Sequence, residues 1–239
     1  EGARFSALAV DASGAIHAAD ITGKAVTIAA QGGSLGKPVA RKIAARESLD
    51  LTAVGGRVVF LDVIGGTLAV DDQQPTKRPE IVAGSRVQLP GPAASEVLVA
   101  APKALYGFSV STPQATARVV SDAGAGAPAA PVRVKDCVYG AWAGSPGTVV
   151  KGCGAQSASL LNVANAGAVL TRPVFRVNRS AVVVNDAADG QIYDLDSLQR
   201  VDNWDQVKDA ATEETVVDEQ LVEQEKEKPK AEPDDLGAR

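Results

Sequence analysis

Residues 5–28 read FSALAVDASGAIHAADITGKAVTI and residues 49–70 read LDLTAVGGRVVFLDVIGGTLAV. Superposing Gly14 on Gly56 also carries Asp20 onto Asp62 and Gly23 onto Gly65, at a common offset of 42. Each stretch then reads as strand, Gly turn, strand, Asp-x-x-Gly turn, strand. A repeat of about 40 to 45 residues made of short strands is the mark of propeller blades. Residues 173–197, PVFRVNRSAVVVNDAADGQIYDLDS, give another copy, with Asn178 at the first turn and Asp186 to Gly190 at the second. Two less regular copies lie between, at 97–119 and 132–153, with first turns expected near Lys103 and Lys135.

A single meander of this size leaves one apolar face in water, so the units gain by stacking on each other. The runs at 57–63 (RVVFLDV) and 181–185 (AVVVN) are almost continuously apolar, as expected for sheets covered on both faces. Gly55-Gly56, Gly65-Gly66 and Asp189-Gly190 suit positive φ in tight turns, and Pro90, Pro92, Pro128, Pro131 and Pro173 are expected between units. Residues 1–200 are therefore predicted to form an all-β domain, a β-propeller of about five blades. A β-sandwich is the competing architecture, and it gives no reason for the 42-residue offset.

Composition agrees. The chain has 239 residues, 45% of them hydrophobic but only 4% aromatic, with no Met. That is enough apolar matter for a core, and it favours short strands over helix bundles. No apolar run reaches the ~18 to 20 residues that span a bilayer, so this stretch is not expected to cross a membrane, and any anchor is left to the remainder of a longer protein. The net charge of -5 is unevenly spread. Residues 201–239 hold 13 acids and 5 bases (-8), which leaves 16 acids and 19 bases (+3) for residues 1–200. The tail, with EETVVDEQLVEQEKEKPKAEPDD at 213–235, is expected to be an acidic linker, extended or partly helical through Val217, Leu221 and Val222. Acid-rich chain and the lack of a Lys/Arg stripe in the body disfavour nucleic acid as a partner.

One His and two Cys leave little for nucleophilic or metal chemistry. His17 has no second His or Cys to work with, so a structural role is expected. The run at 31–38, QGGSLGKP, fails as a phosphate loop because Gln31 and Pro38 stand where Gly and Ser or Thr are required. Asn185, Asp189, Gly190 and Asp196 half-match a calcium loop, but Ala187 occupies a ligand position. Asp71-Asp72 is not a facing carboxylate pair, and the Asn178-Arg179-Ser180 sequon is assigned no role. No cofactor and no metal are expected. Cys137 and Cys153 flank the turn Gly144-Ser145-Pro146-Gly147 and should lie on neighbouring strands, where a disulfide is favoured over two buried thiols and would imply an oxidising compartment. Trp142, between them, is expected to pack in the core or offer a surface platform; Trp204 is expected to pin the chain where domain passes into linker.

The runs VKDCVYGAWAGSPGTVVKGC (134–153), VVVNDAADGQIYDLDS (182–197), VDNWDQ (201–206) and PDDLGAR (233–239) resemble very long actinobacterial surface proteins described as Ig-like or fibronectin type III domain-containing. The resemblance implies a propeller-like region whose five units are part of a ring of about seven, an acidic linker at 201–239 and a following β-sandwich module that begins near Pro233. It implies an extracellular or cell-surface location and no catalytic residues. The function expected is a non-enzymatic scaffold or binding module for protein or glycan partners. The alternative is a carbohydrate-active propeller hydrolase or lyase, or an accessory domain of a polysaccharide-processing protein, whose carboxylates would come from Asp20, Asp62 and Asp186. Recurrence speaks against that use, since every blade needs its turn whereas an active site is unique.

Overall fold

The computed structural model describes residues 4–112, 116–121, 126–154, 159–162, 169–195 and 200–201; the side chains of 116–121 and 159–162 are not described. The expectations for the acidic tail, Trp204 and the module beginning at Pro233 lie outside these residues. Every described element is a strand. The first sheet is built from β1 (Ala7–Val10), β2 (Ile16–Ala19) and β3 (Lys24–Ile28); a small exposed hairpin, β4 (Ala30–Gln31) and β5 (Ser34–Leu35), then leads to its fourth strand, β6 (Val39–Lys42). The second contains β7 (Asp50–Val54), β8 (Arg57–Asp62), β9 (Thr67–Val70) and β10 (Thr76–Lys77). The third contains β11 (Arg86–Val87), β12 (Glu96–Ala101), β13 (Ala104–Ser109) and β14 (Thr116–Ser121). The fourth contains β15 (Val132–Val134), β16 (Cys137–Trp142), β17 (Thr148–Cys153) and β18 (Ser159–Asn162), and the fifth β19 (Pro173–Asn178), β20 (Ala181–Asp186) and β21 (Ile192–Asp194). Each is an antiparallel meander in chain order.

The sheets stack face on face in sequence. Ala19, Ala53 and Phe60 join the first to the second, Val59, Leu61, Val97 and Phe108 the second to the third, Leu98, Leu105 and Trp142 the third to the fourth, and Val149, Phe175 and Val184 the fourth to the fifth. Burial of such side chains contributes about 25 cal/mol per Å² of apolar surface removed from water. The middle sheets are covered on both faces: β8, β12 and β16 are buried at every position after the first. The fifth sheet departs from the expectation for AVVVN, since β20 alternates between more and less buried residues. Among the described residues only one of its faces is covered by a neighbouring sheet, and alternation is the physical result.

Each glycine pair supplies its positive φ through one member, while the places of Pro90, Pro92, Pro173 and Lys103 differ from expectation. The residue at positive φ between β7 and β8 is Gly55 (φ 61), not Gly56, and a Cβ there would lie 2.8 Å from the Cβ of Ala93. In the Gly65-Gly66 pair the left-handed residue is Gly66; Gly65 is required for space, because a Cβ there would collide with the Asp62 carboxylate. Pro90 and Pro92 lie inside the third unit, between β11 and β12, and Pro173 opens β19 rather than preceding it. Lys103 marks the second turn of its sheet, not the first. The first strand of that sheet is the two-residue β11, far upstream of Val97, and a strand so short carries no periodicity to read.

Candidate functional site

In each sheet the strand earliest in the chain is an edge strand: β1, β7, β11, β15 and β19. Residues of β1, β7, β11 and β19, with the segment 127–130 that leads into β15 and pairs with β16 at Pro128↔Trp142, line a cavity of about 490 Å³, among them Leu8, Leu51, Gln88, Ala129, Thr171 and Phe175. Strand β7 and the segment that continues β11 run in the same direction, joined by the parallel bridge Val54↔Gly91. The cavity opens at both ends. Toward one end a chamber of about 390 Å³ is lined by Ser6, Ser48, Asp50, Ser85 and Arg86; toward the other, a chamber of about 630 Å³ is lined by Pro92, Val134, Lys135, Arg176 and Arg179.

The first mouth lies at the end where two of the recurring aspartates act as fasteners. Asp62, buried at the end of β8, accepts hydrogen bonds from the N–H of Glu47 (3.0 Å), Ser48 (3.0 Å) and Gly65 (2.8 Å) and from the Ser48 hydroxyl (2.8 Å). Asp186, buried at the end of β20, accepts from the N–H of Thr171 (2.6 Å), Arg172 (2.9 Å) and Ala188 (3.0 Å). Each carboxylate thus ties its own turn to the segment that enters the innermost strand. Burial pushes both carboxyl groups up, but the backbone N–H donors outweigh it and hold them below the ordinary aspartate value. Asp20 differs: it is only half-buried and its carboxylate bonds only within its own turn, accepting from the N–H of Thr22 (2.9 Å) and Lys24 (3.0 Å) and the Thr22 hydroxyl (2.7 Å). None of the three lines the cavities.

The carboxylate that does line them is Asp50, on β7, which sequence reasoning missed. Burial pushes its carboxyl above the usual range, opposed by the N–H of Leu51 and Val87 and the charge of Arg86. At the opposite mouth the described lining contains Arg133, Lys135, Arg176 and Arg179 and no carboxylate. Lys135 and Arg179 occupy the same turn of consecutive sheets, both at φ 54. Superposing those two first turns would have brought the cations together in the sequence as well.

The remaining candidate residues hold structure. Gly14, Gly23 and Gly190 sit at positive φ in their turns, and Asn178 ends β19, paired with Ala181. Cys137 and Cys153 are directly opposed on β16 and β17 and form a disulfide. Trp142 is completely buried and donates its indole N–H to the carbonyl of Ala101, 2.8 Å away in the third sheet. His17 is buried, with Nε2 3.0 Å from Oδ2 of Asp11 and Nδ1 3.1 Å from the Thr27 hydroxyl. The QGGSLGKP run forms the exposed β4–β5 hairpin, with Gly32 and Gly33 at positive φ. No group of three metal-ligating side chains exists among the described residues, and no helix among them is long and apolar enough to cross a membrane.

No family model and no curated protein matches the chain. Solved structures do. Virginiamycin B lyase from Staphylococcus aureus aligns at a TM-score of 0.57 and 9% identity over 79% of this chain and 65% of that one. Hsv2 from Kluyveromyces lactis aligns at 0.54 and 11% identity over 80% and 60%, and dihydro-heme d1 dehydrogenase NirN at 0.52 and 14% over 81% and 45%. These are β-propeller proteins. The chain has the propeller fold. It spans less than two thirds of the length of each of these three structures. At such identities the likeness concerns the fold, because propellers carry unrelated functions on one architecture.

Proposed function

We propose that this propeller is a non-enzymatic extracellular binding module that presents its axial mouths to protein or glycan partners. The observation that carries the reading is the cavity lined by β1, β7, β11, β19 and the segment that leads into β15, with aliphatic walls and charge gathered at its two mouths. The repeated carboxylates Asp62 and Asp186 are spent on backbone N–H groups and are not free to act on a substrate. The five sheets are read as five blades of a larger ring, since the described apolar clusters join each sheet to the next and none joins the fifth to the first. On the resemblance given above, the acidic segment 201–239 is a tether to further modules, and the disulfide fits an oxidising, cell-surface setting.

A second reading, a carbohydrate-active propeller, draws on Asp50, the carboxylate raised by burial within the cavity. One experiment separates the two: the purified chain is applied to an array of cell-surface proteins and glycans, and each glycan is also incubated in solution and assayed for new reducing ends or unsaturated products. Retention without product supports the binding module. Product release that disappears in Asp50→Asn would instead establish the enzyme.

A further inference from the structure

The mouth between the ends of β15 and β19 differs chemically from the rest of the molecule. Its walls are aliphatic, from Leu89, Val132, Val134 and Val177, while Phe175 beneath them is only 1% exposed. Its rim carries Lys135, Arg176 and Arg179, all exposed, and the half-buried Arg133. Among the described residues none of the four forms a salt bridge; the charge of Glu96 acts on Arg133, whose Nε is buried without an acceptor. Asp136, the acid next in the chain, is not part of the described lining and forms no salt bridge with any of the four.

The polar side chains of the lining are all donors. It contains no Ser, Thr, Asn, Gln, Asp or Glu side chain to accept from hydroxyl groups and no accessible aromatic face for a sugar ring or base. A ligand that fits must bring anionic groups for the rim and aliphatic groups for the walls, and a chain of acidic and aliphatic side chains supplies both. The free edges of β15 and β19, each paired on one side only, add unclaimed backbone to which an extended strand can bond. We propose that this mouth binds an acidic, aliphatic peptide segment of a partner protein in extended form. The proposal rests on the binding-module reading and names the partner class and the mouth that module uses.

The test uses a fluorescein-labelled, end-blocked peptide, Glu-Leu-Asp-Val-Glu-Leu, and its uncharged counterpart, Gln-Leu-Asn-Val-Gln-Leu, titrated with the full chain by anisotropy. The acidic peptide is expected to bind at least tenfold more tightly than the amide peptide and to weaken as salt rises. The double variant Arg176→Glu/Arg179→Asn, with Asn chosen because it tolerates positive φ, is expected to weaken it at least tenfold, and Val177→Asp independently so. Unfolding midpoints of both variants, unchanged within about 2 °C, would confirm that the fold is intact. Equal binding of the two peptides, or equal binding by wild type and a folded double variant, overturns the proposal. So does binding of oligogalacturonate or of a short oligonucleotide at this mouth in place of the peptide. If an array partner is still retained by the double variant, the binding-module reading stands while this mouth is eliminated.

Discussion

Asp62 and Asp20 show how one residue type at one repeat position does two different jobs. Asp62→Ala would strand the buried N–H groups of Glu47, Ser48 and Gly65 and is expected to cost about 3 kcal/mol or more, read as a fall in the urea midpoint at unchanged slope. Asp20→Ala, at an exposed turn, is expected to cost at most about 1 kcal/mol. Trp142→Phe keeps most of the apolar volume but leaves the Ala101 carbonyl without its donor and is expected to cost about 2 kcal/mol in the same assay. The recurrence of Asp before a turn was legible in the sequence. Its function was not, because the groups it binds, 14 and 15 residues upstream, come within reach only when the chain closes on itself.

At the scale of the element, the fourth sheet is the best fastened. Its second and third strands are paired at six positions and closed by the disulfide at the open end of the hairpin. In the chain-entropy account a loop of about 15 residues is worth about 3 kcal/mol. Cys137→Ser/Cys153→Ser is therefore expected to lower the unfolding free energy by about that amount, and reductant should lower the midpoint of wild type but not of the variant. Strands with a clear apolar run, such as β8 and β12, were read from sequence close to their true places. The two-residue β11 was not, since its position is set by bonds to its neighbours, such as the Gln88 side-chain oxygen accepting from the N–H of Leu98 at 2.8 Å. The mouths of the cavity were hidden for the same reason: superposing the repeats aligns Lys135 with Arg179, but only the stacking of two sheets sets both on one rim.

For the whole molecule, acid is the informative perturbation. Asp11, Asp62 and Asp186 all have lowered values in the fold; at Asp11 burial is outweighed by hydrogen bonds from Ser13, His17 and Ala15, which bring it to about 2. A carboxylate depressed in the folded state contributes stability that is complete above its ordinary value near 3.8 and is lost as pH falls, for Asp11 toward about 2. The unfolding free energy is thus expected to drop steeply between about pH 4 and 2. Asp50 acts with the opposite sign. Its raised value penalises the fold at neutral pH and the penalty is relieved on acidification, so Asp50→Asn should raise the midpoint at pH 7, by a margin that narrows as pH falls. The disulfide also has a mechanical side. If tension were applied through the C-terminal end of the described domain, the chain would peel from β21 backwards, and the closed loop between Cys137 and Cys153 would withhold roughly 55 Å of contour length, at about 3.4 Å per residue, so that the fourth sheet would act as a stop against full extension.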